Sequence, residues 1–181
     1  MLIVGTSLTA GLGLDPEDAY HALLQRRADS AGIAIEIVNA GVSGETSAGA
    51  RRRIGWLLRQ PVDLLVLETG ANDGLRGLDI DSTRANLRAI IGEVRRAQPA
   101  ARILLVQIEA PPNLGARYTS DFHAMYGEVA RAEGIELLPF LLQGVAGRAG
   151  LNQADGIHPN EAGSKVVAAT LWPRLQMVLR R

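Results

Sequence analysis

The chain has 181 residues and a mass of 19.3 kDa, the size of one compact domain, so we expect a single domain over residues 1–181. Hydrophobic residues make up 47% of the sequence and charged residues 21%, a composition that excludes a disordered chain. Lys plus Arg and Asp plus Glu both number 19, so no excess of positive charge attracts nucleic acid, which we do not expect as a partner.

Short apolar runs alternate along the chain with longer segments of helical periodicity, which is typical of a buried parallel sheet covered by helices. Strands are predicted at residues 2–5, 33–38, 63–68, 102–108 and 135–138, and helices at 16–30, 46–59, 82–96, 119–133 and 160–179. Asp15 before Pro16, and Ser82 ahead of an amphipathic run, are typical helix starts. With right-handed crossovers, these elements predict an α/β fold: a three-layer α/β/α sandwich with a flavodoxin-like, five-stranded parallel sheet.

Open sheets of this kind bind ligands beyond the carboxyl ends of their strands. Four loops rich in Ser, Asn, Asp, His and Gly are expected on that rim: residues 5–9, 39–45 and 69–74 after the first three strands, and 155–159 ahead of the last helix. We therefore expect the functional site at this rim.

A histidine in the last of these loops has a carboxylate three residues before it. Asp155 can accept a hydrogen bond from one ring nitrogen of His158 and leave the other nitrogen as a base. A serine hydroxyl needs such a base because it is barely ionised at neutral pH, and Ser7, directly after the first strand, is placed to be the nucleophile. The three residues predict a catalytic triad.

Acyl transfer also requires hydrogen-bond donors for the negative oxygen of the tetrahedral intermediate. The backbone N–H groups of Gly44 and Ser7 and the side-chain amide of Asn72 are candidates for this oxyanion hole. Each residue also has a purely structural interpretation, since Ser7 can be a turn hydroxyl and Gly44 a turn glycine, and Asn72 lies in a predicted tight turn. Their occurrence on one rim in complementary roles favours acyl transfer.

No metal site is predicted. His123 and Asp121 lie close in sequence, but no third ligand with suitable spacing accompanies them. The chain has no cysteine, so thiol chemistry is excluded as well.

In chain order, the four loops resemble the sequence blocks of the SGNH hydrolase superfamily, also called the GDSL lipases and esterases. More narrowly, residues 39–47, 70–77, 107–118, 137–140 and 155–160 resemble the bacterial thioesterase I, protease I and lysophospholipase L1 group, which includes arylesterases. The resemblance implies a cofactor-free hydrolase of carboxylic esters and thioesters with short to medium acyl chains. In that interpretation Ser7 is the nucleophile, Asp155 and His158 complete the triad, and Ser7, Gly44 and Asn72 form the oxyanion hole.

The sequence departs from the family pattern at one position, because Thr6 stands where the Gly-Asp-Ser-Leu block has its aspartate. The resemblance also implies substrate contacts, which we expect from Leu8, Asp73, Ala110, Pro111 and Ile157. Ala110 is small where a larger apolar residue is familiar in this group, so we expect an altered chain-length preference.

Two other functions stay open. A carbohydrate acetyl esterase of the same superfamily has the same triad, and a non-catalytic flavodoxin-like module would use residues 5–9 to cradle a phosphate or flavin. The partner expected is a small acyl ester, with no stable membrane insertion, and the sequence does not define an oligomeric state. As written, the chain is predicted to be cytoplasmic, or periplasmic or secreted if a signal peptide lies upstream.

Overall fold

The computed structural model describes residues 1–180 and is built around one parallel sheet of five strands in the order β2-β1-β3-β4-β5. The strands are β1 Leu2–Gly5, β2 Val38–Gly41, β3 Leu64–Leu67, β4 Arg102–Val106 and β5 Glu136–Leu138. β1 pairs Leu2 with Val38 on one side and with Leu65 on the other. Every residue of β1 and β3 is buried because helices cover both faces of the sheet, as in other all-parallel sheets.

Seven α-helices lie in the described part of the chain: α1 Ser7–Ala10, α2 Tyr20–Ser30, α3 Ser47–Leu57, α4 Ala71–Leu75, α5 Ile80–Ala97, α6 Ala116–Glu133 and α7 Glu161–Leu179. Short 3₁₀ turns occupy Pro16–Asp18, Pro112–Leu114 and Ala149–Leu151. Helix α2 packs against α7, and α5 packs against both α3 and α6. The predicted α/β fold with a five-stranded parallel sheet is confirmed.

The second strand lies later in the chain than predicted. Residues 33–37 are extended but unpaired, and pairing begins where the Val38 N–H donates to the carbonyl of Met1. The side chain of Gln25 takes the place of a neighbouring strand, because it donates to the Ile35 carbonyl at 2.8 Å and accepts from the Ile37 N–H at 2.8 Å. Residues 33–37 therefore pack over the edge of the core, whereas residues 38–41 form the hydrogen bonds with β1.

Two short helices, α1 and α4, stand where only loops were predicted. α1 begins directly after β1 and ends at Gly11, whose φ of 74° is suited to glycine. α4 follows Gly70, which has a φ of 104° and leaves no room for a side chain, since an added Cβ would lie 2.2 Å from the Tyr126 hydroxyl. The same hydroxyl donates to the Thr69 carbonyl at 2.8 Å and fixes the end of β3. Both short helices place their first residues at the carboxyl rim.

The longer helices begin within a few residues of their predicted starts. The first predicted helix is divided, because a 3₁₀ turn at Pro16–Asp18 precedes α2 and Ala19 between them is extended. Asp79 rather than Ser82 caps α5, since its carboxylate accepts from the Ser82 N–H at 2.7 Å. Among residues 1–180, no helix is both long enough and apolar enough to cross a membrane.

Candidate active site

Ser7 is the first residue of α1 and lies directly beyond the carboxyl end of β1, half-buried. Its Oγ lies 2.8 Å from Nε2 of His158, although the two residues are 151 positions apart. Nδ1 of His158 lies 2.5 Å from Oδ2 of Asp155. Since the carboxylate accepts from Nδ1–H, Nε2 is left to accept the serine proton, which is the arrangement that serine hydrolases use.

The loop itself holds the Asp155 carboxylate in its charged form. Oδ1 accepts from the Ile157 N–H at 2.9 Å and from the His158 N–H at 3.0 Å. The hydrogen bond from the His158 side chain, followed by these two backbone bonds, lowers the pKa of Asp155 to about 2. The Asp155 side chain is 44% exposed, so these bonds rather than burial fix its ionisation.

Residues 152–160 carry His158 on a loop that is tied to the start of α7. Asn152 and Pro159 form an isolated antiparallel bridge, and the Gln153 N–H donates to the His158 carbonyl at 2.7 Å. Asn160 caps α7 by accepting from the Gly163 N–H at 3.0 Å. Gly163 allows the close approach, because a Cβ there would lie 2.0 Å from the Leu151 carbonyl oxygen. The base is therefore held on a rigid element.

The three predicted oxyanion donors lie on one loop and two short helices of the rim. Gly44 has a φ of 76° in the exposed loop between β2 and α3, and Asn72 lies in the first turn of α4. One amide hydrogen of Asn72 donates to the Glu45 carbonyl at 3.0 Å, which leaves its second hydrogen free. The Ser7 N–H is at the first position of α1, where no intrahelical acceptor exists.

A salt bridge that the sequence analysis did not single out fixes the Gly44 loop. Arg53 donates to both carboxylate oxygens of Glu45 at 2.6 to 2.9 Å, and Nη2 also donates to the Ala40 carbonyl at 2.7 Å. The Gly5 carbonyl accepts from the same nitrogen at 3.4 Å. Arg53 thus joins the ends of β1 and β2 to the loop. Arg53 is one of three consecutive arginines on α3, so its sequence context did not indicate this role.

The five residues expected to contact substrate lie in different surroundings. Leu8 lines a small cleft together with Ser7 and His158. Ile157 is exposed, while Ala110 and Pro111 are half-buried beside α4. Asp73 is buried instead, and its carboxylate accepts from the Ser47 N–H at 2.8 Å, from the Ser47 hydroxyl at 2.5 Å and from Thr83 at 3.3 Å.

The rim that carries Ser7 has several exposed apolar side chains. Several of the exposed large hydrophobic side chains of residues 1–180 belong to loops and helix ends at this edge of the sheet: Leu12, Val42, Leu75, Leu78 and Ile157. A larger cavity of about 810 Å³ lies at the opposite end of the sheet, where Met1, Val38 and Trp56 line it. That cavity is remote from the Ser7–His158 pair, so the candidate catalytic residues place the functional site at the rim and not in this cavity.

The polar loop after β1 is already engaged within the protein. The hydroxyls of Thr6 and Thr9 both donate to the buried carboxylate of Glu68, the residue that follows β3. A phosphate on this loop would therefore lie close to the Glu68 carboxylate, and the two threonine hydroxyls would not be free to donate to it. No group of three or more His, Asp or Glu side chains that could hold a metal ion occurs within residues 1–180; His123 pairs with Glu109.

Comparisons with known proteins identify the family to which this fold and this site belong. The GDSL-like Lipase/Acylhydrolase family matches residues 3–166. The chain is 43% identical to Esterase TesA of Pseudomonas aeruginosa over 99% of this chain and 89% of that protein. It is 38% identical to Thioesterase 1/protease 1/lysophospholipase L1 of Escherichia coli strain K12 over 97% of this chain and 83% of that protein.

A solved structure gives the same result. The crystal structure of the psychrotrophic esterase EstA from Pseudoalteromonas sp., inhibited by monoethylphosphonate, superimposes with a TM-score of 0.93 at 34% identity, over 99% of this chain and 98% of that one. The chain therefore belongs to the GDSL-like lipase/acylhydrolase family and is an enzyme of the ester-hydrolase class.

Proposed function

We propose that the protein is a serine hydrolase that cleaves carboxylic esters and thioesters of short to medium acyl chains through an acyl-enzyme intermediate. The observation that carries the proposal is the pair of hydrogen bonds from Ser7 Oγ to His158 Nε2, at 2.8 Å, and from His158 Nδ1 to Asp155, at 2.5 Å. The relatives named esterase and thioesterase support this substrate class.

In the acylation step, His158 Nε2 takes the proton of Ser7 while Oγ attacks the carbonyl carbon of the ester. The carbonyl oxygen becomes negative and accepts hydrogen bonds from the N–H groups of Ser7 and Gly44 and from Asn72. The intermediate collapses as His158 returns the proton to the leaving alcohol or thiol, and the acyl group stays on Ser7. Asp155 stays ionised and holds the imidazole in the required tautomer.

In the deacylation step, a water molecule takes the place of the leaving group. His158 accepts one proton from it as the oxygen attacks the acyl carbon, and the same oxyanion donors act again. The carboxylic acid leaves when Oγ recovers the proton from His158, which restores the free enzyme.

The apolar side chains on the rim are suited to an acyl chain rather than to a sugar. Covering exposed apolar side chains with a hydrocarbon chain is favourable, and Val42, Leu75 and Ile157 are exposed on the loops and helix ends of this rim. We assign Leu8, Ala110, Pro111 and Ile157 to the acyl side of the cleft. Asp73, whose carboxylate is buried against Ser47 and Thr83, is assigned to holding α4 and Asn72 in place rather than to direct substrate contact.

The test is hydrolysis of p-nitrophenyl esters from acetate to long acyl chains, together with acyl-CoA thioesters and acetylated sugars. Ser7→Ala should lower kcat by ~10⁴- to 10⁶-fold, because only the oxyanion donors and binding then remain. Ser120→Ala is the matched control, since Ser120 is exposed on α6, and should keep full activity. Equal activity of wild type and Ser7→Ala would remove the proposal, whereas Ser7-dependent cleavage of acetylated sugars alone would reassign the substrate class.

A further inference from the structure

A buried carboxylate lies under the turn that carries Ser7, and the reaction scheme above does not use it. Glu68 follows the apolar strand β3 and is fully buried. Its Oε2 accepts from the Thr6 N–H at 2.8 Å and from the Thr9 hydroxyl at 2.7 Å, and Oε1 accepts from the Thr6 hydroxyl at 3.0 Å. Glu68 therefore holds the residues on both sides of the nucleophile.

The hydrogen bonds of this network have defined directions when Glu68 is ionised. A threonine hydroxyl has one proton, and since Thr9 donates it to Glu68, the Tyr20 hydroxyl must donate to Thr9, at 2.6 Å. Thr6 likewise donates to Glu68, and its oxygen accepts from the Leu8 N–H at 3.4 Å as the N-cap of α1. Protonation of Glu68 would make one carboxyl oxygen a donor, so one of these hydroxyls would have to turn its own proton away.

The turn is closely packed against this carboxylate. A Cβ on Gly5 would lie 2.0 Å from the Thr9 hydroxyl and 2.5 Å from Glu68 Oε2. The Ser7 N–H, which the proposed mechanism aims at the oxyanion, takes its orientation from the peptide that follows Thr6. A shift of Thr6 would consequently move both the nucleophile and an oxyanion donor.

We propose that Glu68 is a positioning residue for the nucleophile: as an ionised acceptor for Thr6 and Thr9, it fixes the Ser7 hydroxyl and N–H in the orientation that acyl transfer needs. This inference rests on the proposed function. Thr6, where the family block has aspartate, fits this role because a hydroxyl donates to Glu68 and an ionised aspartate cannot.

Protonation of Glu68 should therefore lower activity, and the buried environment of Glu68 places this protonation in a pH range that an activity assay can reach. Burial raises the pKa of Glu68 to about 7, against the opposing effect of the Thr6 and Thr9 hydrogen bonds. No Lys, Arg or His within residues 1–180 forms a salt bridge with it. The titratable groups that feel its charge are Tyr20 on α2 and Tyr126 on α6, and burial raises the pKa of both, so both are neutral.

Two further ionisable groups adjoin the turn. Arg53 on α3 reaches the Gly5 carbonyl but is paired with Glu45, and His158 contacts Ser7 from the opposite side. Protonation of Glu68 should thus add to the loss of activity at low pH, so the acid limb of log kcat against pH should be steeper in the wild type than in a variant that cannot ionise at position 68.

The experiment measures kcat and KM for p-nitrophenyl acetate across the acid limb, with active sites counted by phosphonate titration of Ser7. Glu68→Gln should lower kcat by ~10- to 100-fold, as expected for a misplaced reacting group, and make the acid limb less steep, with KM little changed. Thr6→Val, which removes a hydrogen bond that favours ionised Glu68, should move the acid limb to higher pH. Thr6→Ser keeps the hydroxyl and should retain the wild-type profile.

The outcomes separate this inference from the proposed function. If Ser7→Ala abolishes activity while Glu68→Gln keeps the wild-type kcat and pH profile, Glu68 has no positioning role. If Ser7→Ala leaves activity unchanged, the proposed function itself is wrong. Because phosphonate titration counts only active sites, unfolded protein does not lower the measured kcat, and the shift of the acid limb in Thr6→Val tests the inference where Glu68→Gln does not fold.

Discussion

Replacing Glu68 with glutamine should make the protein progressively more stable than the wild type as pH rises. The pKa of Glu68 moves from 4.5 to about 7 on folding because burial disfavours the charge. The native state therefore keeps its proton where the unfolded chain has lost it, so this group's contribution to stability is full below the unfolded pKa and is lost as pH rises through about 7. The displacement corresponds to about 3 kcal/mol.

The glutamine side chain introduced by Glu68→Gln has the same shape and no ionisation, so its effects on packing and hydrogen bonding do not depend on pH. The difference in unfolding free energy between variant and wild type should change by about 3 kcal/mol in favour of the variant, most of it between about pH 5 and pH 8. Urea denaturation at several pH values measures this difference. Asp121→Asn is the control for net charge, because Asp121 is exposed and makes only a 3.9 Å contact with Arg117. A difference that is constant with pH would refute the reasoning.

Three further predictions concern the site. Asp155→Asn should lower kcat by ~10⁴-fold in the p-nitrophenyl acetate assay, because an amide does not enforce the required tautomer of His158; a loss below tenfold would contradict the triad. Asn72→Ala should lower kcat by ~10²- to 10³-fold with little change in KM, since it removes one oxyanion donor. Ala110→Leu should shift the acyl-chain preference across the ester series, and an unchanged profile would show that Ala110 does not line the acyl site.

The parts of the fold that the sequence predicts well are those that are buried on both sides. Runs such as residues 64–67 are continuously apolar because a central parallel strand has no solvent face, and a continuous apolar run is easily recognised. The predicted position of β2 was wrong because β2 is an edge strand, in which Val38 and Asn39 are exposed. The backbone groups of Ile35 and Ile37, in the apolar run before it, form hydrogen bonds with the side chain of Gln25 on α2 and not with a strand. Periodicity alone does not distinguish pairing from packing at an edge.

The residues of the candidate site also differ in how well the sequence predicts their positions. That Ser7 and His158 lie at the same rim could be predicted, because the position of a loop at the end of a strand does not depend on side-chain direction. The rim rule does not say which way a side chain points, as Asn72 and Asp73 show. The two residues are adjacent on α4, where successive side chains diverge. Asn72 is half-buried and contacts the Glu45 loop, whereas Asp73 is buried in the interior. Only the three-dimensional structure separates a residue at the rim from a residue beneath it.

The pKa values of two carboxylates near Ser7 are shifted in opposite directions, and this difference determines which of the two can titrate near neutral pH. Hydrogen bonds from His158 and the loop backbone lower the pKa of the exposed Asp155 to about 2, whereas burial raises that of Glu68 to about 7. Asp155 is therefore ionised well below neutral pH and contributes nothing to an acid limb near neutrality. A carboxylate ionisation observed near neutral pH would belong to Glu68, which lies under the nucleophile, and not to Asp155, which pairs with His158.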